Sequence, residues 1–241
     1  MKKGFAFLGF FLAMFGGSDA FACECVPNGP PCQSYFEFDR VFVGTVRSIS
    51  PDTQPSPGRM LRVEFADVES ADGKAQPTVS VLTADTAAEC GYAFRTGERY
   101  VVYANREDAK GDLHVVLCSR TQPLASASED LQYFQTLSSP SKGAHVYGTI
   151  ARSHGAVVSS ATEPAPILSV SVTLRGPGGS FGTRTAGDGR FDIHAIPPGK
   201  YELTAIAVPG STGGTMRRSL ELKHPHACFV ADFAFPPDTG R

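Results

Sequence analysis

Between residues 61 and 69 the chain alternates. Leu61, Val63 and Phe65 fall on one side, Arg62 and Glu64 on the other, and Val68 resumes after Ala66-Asp67. A period of two belongs to a strand with one buried and one wet face. Val41-Phe42-Val43-Gly44-Thr45-Val46 lacks a polar phase and is rich in β-branched residues, which predicts a core strand, with Gly44 marking a bulge or tight bend. Asp72-Gly73 signals a hairpin, and Thr78-Val79-Ser80-Val81-Leu82-Thr83 is its returning strand. Tyr100-Val101-Val102-Tyr103-Ala104 and Leu113-His114-Val115-Val116-Leu117 complete a set of about five strands. Ser126-Ala127-Ser128-Glu129 is a capping-box pattern, and Leu131, Phe134 and Leu137 follow at helical spacing, so a helix should plug or flank these strands. Five short strands and a C-terminal helix predict an OB-like Greek-key barrel.

Ser138-Ser139-Pro140-Ser141-Lys142-Gly143 carries no large apolar side chain and reads as a linker. Beyond it come short strands with frequent glycine turns. Val146-Tyr147-Gly148-Thr149-Ile150 opens the series, and Ile167-Leu168-Ser169-Val170-Ser171-Val172-Thr173-Leu174 sets Val170, Val172 and Leu174 on one face. Gly187-Asp188-Gly189 turns the chain into Arg190-Phe191-Asp192-Ile193, and Ile196-Pro197-Pro198-Gly199 turns it into Lys200-Tyr201-Glu202-Leu203-Thr204-Ala205. Gly176-Pro177-Gly178-Gly179 and Gly210-Ser211-Thr212-Gly213-Gly214-Thr215 read as loops; the second lacks the lysine and helix of a phosphate loop. The whole is mainly β, in keeping with 25 Gly, 18 Pro and no Trp.

The first 22 residues have another character. Lys2 and Lys3 precede an uncharged apolar run from 4 to 17, and Ser18-Asp19-Ala20-Phe21-Ala22 supplies the small residues of a cleavage site. The run is shorter than the ~20 residues of a spanning helix. Residues 1–22 are therefore expected to be a signal peptide, and the protein secreted, extracellular or periplasmic. Cleavage after Ala22 makes Cys23 the first of 219 residues; loss of Lys2, Lys3 and Asp19 takes the formal charge from −2 to −3. That balance fits neither a nucleic-acid nor an anionic-membrane binder. A lipid-anchored Cys23 is the alternative, but it would leave five of six cysteines, an odd number in an oxidising compartment.

The six cysteines lie at 23, 25, 32, 90, 118 and 228. Cys23-Glu24-Cys25, the run 41–46 after a ribbon rich in Pro and Gly, Cys90-Gly91 ahead of Gly97-Glu98-Arg99-Tyr100-Val101-Val102-Tyr103, and Cys118-Ser119-Arg120-Thr121 resemble the tissue-inhibitor-of-metalloproteinases domain, or netrin-like module, over residues 23–137. The resemblance implies pairing of Cys23 with Cys90 and of Cys25 with Cys118. It also implies an inhibitory ridge of Cys23, Glu24, Cys25, Val26 and Pro27 with Ala88 and Glu89 beside it, whose Cys23 amine and carbonyl chelate the zinc of an extracellular metalloproteinase. Glu24 departs from the small second residue of the vertebrate inhibitors. The same Cys-x-Cys can also serve only to staple the chain end to the barrel, which would leave a non-inhibitory extracellular adhesion module.

Thr185-Ala186-Gly187-Asp188-Gly189-Arg190-Phe191-Asp192-Ile193, followed by Ile196-Pro197-Pro198-Gly199-Lys200-Tyr201-Glu202-Leu203, is similar to the carboxypeptidase regulatory-like domain. It implies a transthyretin-like β-sandwich over 146–235, after a linker at 138–145 and before a tail at 236–241. Sandwiches of this class include carbohydrate-binding modules, so a polysaccharide is a second possible partner, with Phe181 a candidate stacking ring. Cys32 and Cys228 remain; a bond between them would clamp the two bodies together, but six cysteines allow 15 connectivities.

His224-Pro225-His226 with Cys228 has the residue types of a metal site but lacks an evident fourth ligand. His114 is expected on the wet face of its strand. No nucleophile elbow, zinc-protease helix motif or secluded acid pair stands out. The expectation is a non-enzymatic binding protein with no cofactor and no metal of its own. Charges and prolines on exposed strand edges predict a monomer.

Overall fold

The computed structural model describes residues 23–54, 58–71, 73–106, 111–152, 165–167, 169–206 and 214–236. The expected signal peptide 1–22, Asp72 of the hairpin, Leu168, residues 55–57 and 210–213 of two expected loops, and residues 237–241 of the tail lie outside them. The architecture is mainly β.

In the first half, strands β1 (Arg40–Pro51), β2 (Met60–Ser70), β3 (Ala75–Gln76), β4 (Val79–Ala84), β5 (Arg99–Arg106), β6 (Leu113–His114) and β7 (Gln122–Pro123) form one sheet. The path β1-β2-β4-β6-β5 returns to β1 through a β5–β1 ladder, so five strands close into a barrel. All its pairings are antiparallel except β4–β6. Two strands have both faces covered, which explains their unbroken apolar runs. Phe42, Val46, Tyr100, Val102 and Ala104 point into the barrel, while Val41, Val43, Val101 and Tyr103 face outward against a helix. The register of β1 on β2 shifts between Val43 and Thr45, putting the bulge at Gly44.

That helix is α2 (Ser128–Leu137), which follows a helical turn at Pro31–Ser34, α1. Helix α2 flanks the barrel: Phe134 is buried there with Leu131, Tyr133 and Leu137 packed beside it. The capping box does not form. Residues 124–126 make a 3-10 turn, Ala127 occupies the N-cap, and no side chain caps the helix. Glu129 and Asp130 in the first turn still face the positive end of the helix dipole. The strand expected at 113–117 is shorter, since after His114 only Val116 bridges onward, to Gly91.

The second half begins with β8 (Ala144–Arg152), followed by β9 (Ala165–Pro166), β10 (Ser171–Gly176), β11 (Gly179–Arg184), β12 (Arg190–Ile196), β13 (Gly199–Ile206), β14 (Thr215–Leu222), β15 (Cys228–Val230) and β16 (Phe233–Phe235). One sheet runs β11-β10-β13-β14; the other centres on β8, paired with β12, β15, β16 and β9. Side chains from both fill a single core, including Val146, Ile150, Leu174, Phe191, Leu203, Leu222 and Phe235. This is a two-layer sandwich. The strand expected from Ile167 starts instead at Ser171, because Ser169 sits in the left-handed region, φ 57°, and breaks the extension.

Helical turn α1 joins the halves. Cys32 within it is bridged to Cys228 at the start of β15, and Gln33 Oε1 accepts from the Val230 N–H at 3.2 Å. Phe36 stacks on His224, 4.9 Å between centroids, and the Tyr133 hydroxyl donates to the His226 carbonyl at 3.0 Å. Among the described residues no helix is long and apolar enough to cross a membrane.

Candidate functional site

Residues 23–30 carry no regular secondary structure, as Pro27, Pro30 and Gly29 require, and most of the segment is exposed. It is nonetheless pinned. Cys23 is bonded to Cys90, with Cα atoms 5.6 Å apart, and Cys25 to Cys118, 5.1 Å apart. These close loops of 67 and 93 residues, each worth about 4–5 kcal/mol by chain entropy. All six cysteines are bridged.

The anchor for Cys23 is itself tightly built. Residues Ala87–Glu89 form a 3-10 turn, capped by Cys90 with φ 63°. Gly91 then runs so close to the preceding strand that a Cβ would stand 1.9 Å from the Ala84 carbonyl oxygen, so only glycine fits. Cys23 Sγ lies 3.9 Å from the Ala88 carbonyl oxygen, which brings Ala88 and Glu89, both exposed, alongside Cys23. The Thr86 hydroxyl donates to Glu89 Oε2 at 3.2 Å.

A buried polar network holds the ribbon a few residues further on. Asp130 is fully buried and accepts from Arg120 Nε at 2.8 Å, from Gln122 Nε2 at 2.9 Å and from the Tyr103 hydroxyl. Arg120 spends a further N–H on the Gly29 carbonyl, at 2.8 Å, and another on Glu129, at 3.1 Å. Burial alone would lower the Arg120 pKa, but Asp130 outweighs it and raises it; burial, then Asp130, drive the Tyr103 phenol up. The arginine therefore stays charged and the phenol neutral.

The surroundings add a signal not drawn from the sequence. Of the four large hydrophobic residues exposed among the described residues, Val26 (82%), Val116, Leu117 and Ile206, three adjoin this lacing. Val26 follows Cys25, Leu117 precedes Cys118 and donates its N–H to the Cys90 carbonyl at 2.7 Å, and Val116 bridges Gly91. The run Val115-Val116-Leu117 was legible as apolar, but only the early end of its strand turns Val116 and Leu117 outward.

The other candidates are placed differently. His224 and His226 belong to the seam between the halves: the His226 N–H donates to His224 Nδ1 at 3.2 Å, and Cys228 is spent on Cys32. Burial, then His226, lower the His224 pKa. Phe181 is half-buried, packed on the sandwich core with its ring edge-on to Tyr201 at 6.3 Å. A cleft of about 620 Å³ opens instead on the β8 sheet, lined by Tyr147, Thr149, Arg184, Asp188, Asp192 and Asp232 among others.

No protein-family model matches the chain, and no curated protein matches it. Among solved structures, the Bacillus anthracis TIE protein aligns with 83% of this chain and 35% of its own at 13% identity and a TM-score of 0.32. An (S)-allantoin synthase aligns with 44% of this chain and 46% of its own at 15% identity and a TM-score of 0.25. This chain thus spans about a third and about half of their lengths. Likenesses at this level carry no argument about fold or function.

Proposed function

We propose that this is a secreted binding protein that presents its N-terminal ridge to an extracellular zinc metalloproteinase and blocks it. The observation that carries the reading is the double anchoring of an exposed, apolar-flanked chain end by Cys23–Cys90 and Cys25–Cys118. Disulfides persist in oxidising compartments, which supports secretion. Cleavage after Ala22 would free the Cys23 α-amine, whose pKa near ~7.8 leaves a neutral fraction at physiological pH that zinc enlarges. Amine nitrogen and carbonyl oxygen of one residue close a five-membered chelate, filling the zinc position that otherwise holds catalytic water. Rigid anchoring means that little conformational entropy is lost on docking. Val26, Val116 and Leu117 supply apolar area beside the chelating atoms.

Glu24 sets the specificity. It is exposed in the free protein, and burying its carboxylate unpaired in an enzyme pocket costs several kcal/mol. The target is accordingly an enzyme with a cation or open solvent at that position. The test assays the mature protein against a panel of zinc endopeptidases beside Glu24→Thr and a form carrying one extra alanine before Cys23. Inhibition by the mature protein, abolished by the extension, supports the reading; no inhibition by either the mature protein or Glu24→Thr sinks it.

The cleft beside Tyr147 favours a second reading, polysaccharide binding by the sandwich, because aromatic and carboxylate groups line one open trough. A glycan array probed with the whole protein distinguishes the two.

A further inference from the structure

Strand β12 buries Phe191, Ile193 and Ile196, so its inward positions skip one residue after Ile193. The ladder with β8 shows why: Ile193 pairs with Val146 and Ile196 with Ala144, leaving His194 and Ala195 opposite the single residue His145. This is a bulge of two residues against one. Ala195 takes up the extra length with φ 57°. Because Val146 and Ile193 point into the core, His145 and Tyr147 of β8 and Asp192 and His194 of β12 all project from the outer face.

There they converge. Nε2 of His145 lies 2.6 Å and Nε2 of His194 2.8 Å from the same oxygen, Asp192 Oδ1. The two imidazoles stack at 4.3 Å with 19° between planes, and Tyr147 supports the other side of His145 at 4.5 Å. All three ligand atoms fall within 4.8 Å of one another. A tetrahedral ion with bonds of about 2.0–2.2 Å needs ligand atoms about 3.4 Å apart, a spacing compatible with atoms that already lie within 4.8 Å of one another.

We propose that His145, Asp192 and His194 form a binding site for a divalent transition-metal ion of the zinc class. Two neutral imidazoles and one carboxylate match the donors that zinc prefers. The ion displaces the protons shared between the histidines and Asp192. Its remaining coordination faces solvent and the adjoining cleft, which Tyr147 and Asp192 also line, so a fourth position is open to water or to an oxygen of a bound ligand. The site is independent of the N-terminal ridge, which lies on the other half of the molecule.

The test titrates zinc chloride into the metal-free mature protein by calorimetry and follows histidine nitrogens by NMR. One equivalent should bind, with Nε2 of His145 and His194 shifting as ligands. Loss of an outer-shell partner typically costs 10–100-fold in affinity, so removing a ligand in His145→Ala, His194→Ala or Asp192→Asn should weaken binding at least about tenfold. His224→Ala with His226→Ala, at the seam, should leave it unchanged. Absence of saturable binding to the native protein overturns the proposal, as does binding that survives His194→Ala or that moves the His224 signals instead. His194 is exposed and outside the core, so its variant keeps the fold; the NMR shifts in the native protein stand as a readout that needs no variant.

Discussion

The N-terminal ridge and the His145–Asp192–His194 patch are both exposed, yet opposite means hold them. The ridge has no ladder hydrogen bonds and depends on two disulfides and an arginine reaching to Gly29. The patch has no covalent tie and depends on the register of β12 against β8 and on one bulge. A covalent anchor tolerates irregular backbone and so can place a chain end on the surface; a ladder anchor needs regular strands and can place only what alternates outward. Each region should therefore fail under a different insult.

The largest effect is expected from removing the ridge's second anchor. Cys25→Ser with Cys118→Ser should lower the free energy of unfolding by about 4–5 kcal/mol if the chain-entropy account holds without strain, read from urea denaturation. Limited proteolysis should then cut within 23–30, while the NMR signals of His145 and His194 stay in place. Movement of those signals would mean that the two regions are coupled.

The patch should respond in the other direction. A non-glycine residue in the left-handed region costs about 1–2 kcal/mol, partly offset by the greater freedom of glycine in the unfolded chain. Ala195, at φ 57° and exposed, carries that strain. Ala195→Gly is expected to raise stability by about 0.5–1 kcal/mol with the patch geometry retained. A loss of stability would show that the Ala195 methyl makes contacts that outweigh the strain.

These regions also differ in how far the sequence reveals them. The barrel's strands are plain because Val41 to Val46 and Tyr100 to Ala104 are buried on both faces, leaving an apolar run that only a core strand explains. The ridge shows itself through Cys23-Glu24-Cys25 after an expected cleavage site, although its partners, 67 and 93 residues away, come only with a family resemblance. Nothing local selects Cys228 for Cys32 across 196 residues. The start of α2 misleads because Ser126, which local rules give to the cap, is taken into the 3-10 turn at 124–126, and Ala127 stands at the N-cap instead. The patch stays hidden although its halves are visible. Asp192 and His194 are two apart on one strand and His145 and Tyr147 two apart on another, but their meeting is fixed by a register between strands over 40 residues apart. The one local hint is the skipped position in Phe191-Asp192-Ile193-His194-Ala195-Ile196, which marks the bulge.

The smallest effect lies at the seam and separates the histidines by pH. His224 stacks on Phe36, with Lys223 bonded to the Phe36 carbonyl at 3.2 Å and His226 stacked on its other neighbour side at 5.4 Å. Burial, then His226, hold its pKa below 6.5, so in acid the unfolded chain binds its proton more readily than the folded one. The stability it contributes is therefore present above pH 6.5 and lost as pH falls through the lowered folded value. His145 works in the same direction, since burial lowers it against the pull of Asp192. His224→Phe keeps a ring on Phe36 and removes one of these two titrations. Thermal unfolding measured from pH 7.5 to 5 should fall less steeply in the variant. An unchanged slope would show that protonation of His224 does not contribute to the acid sensitivity.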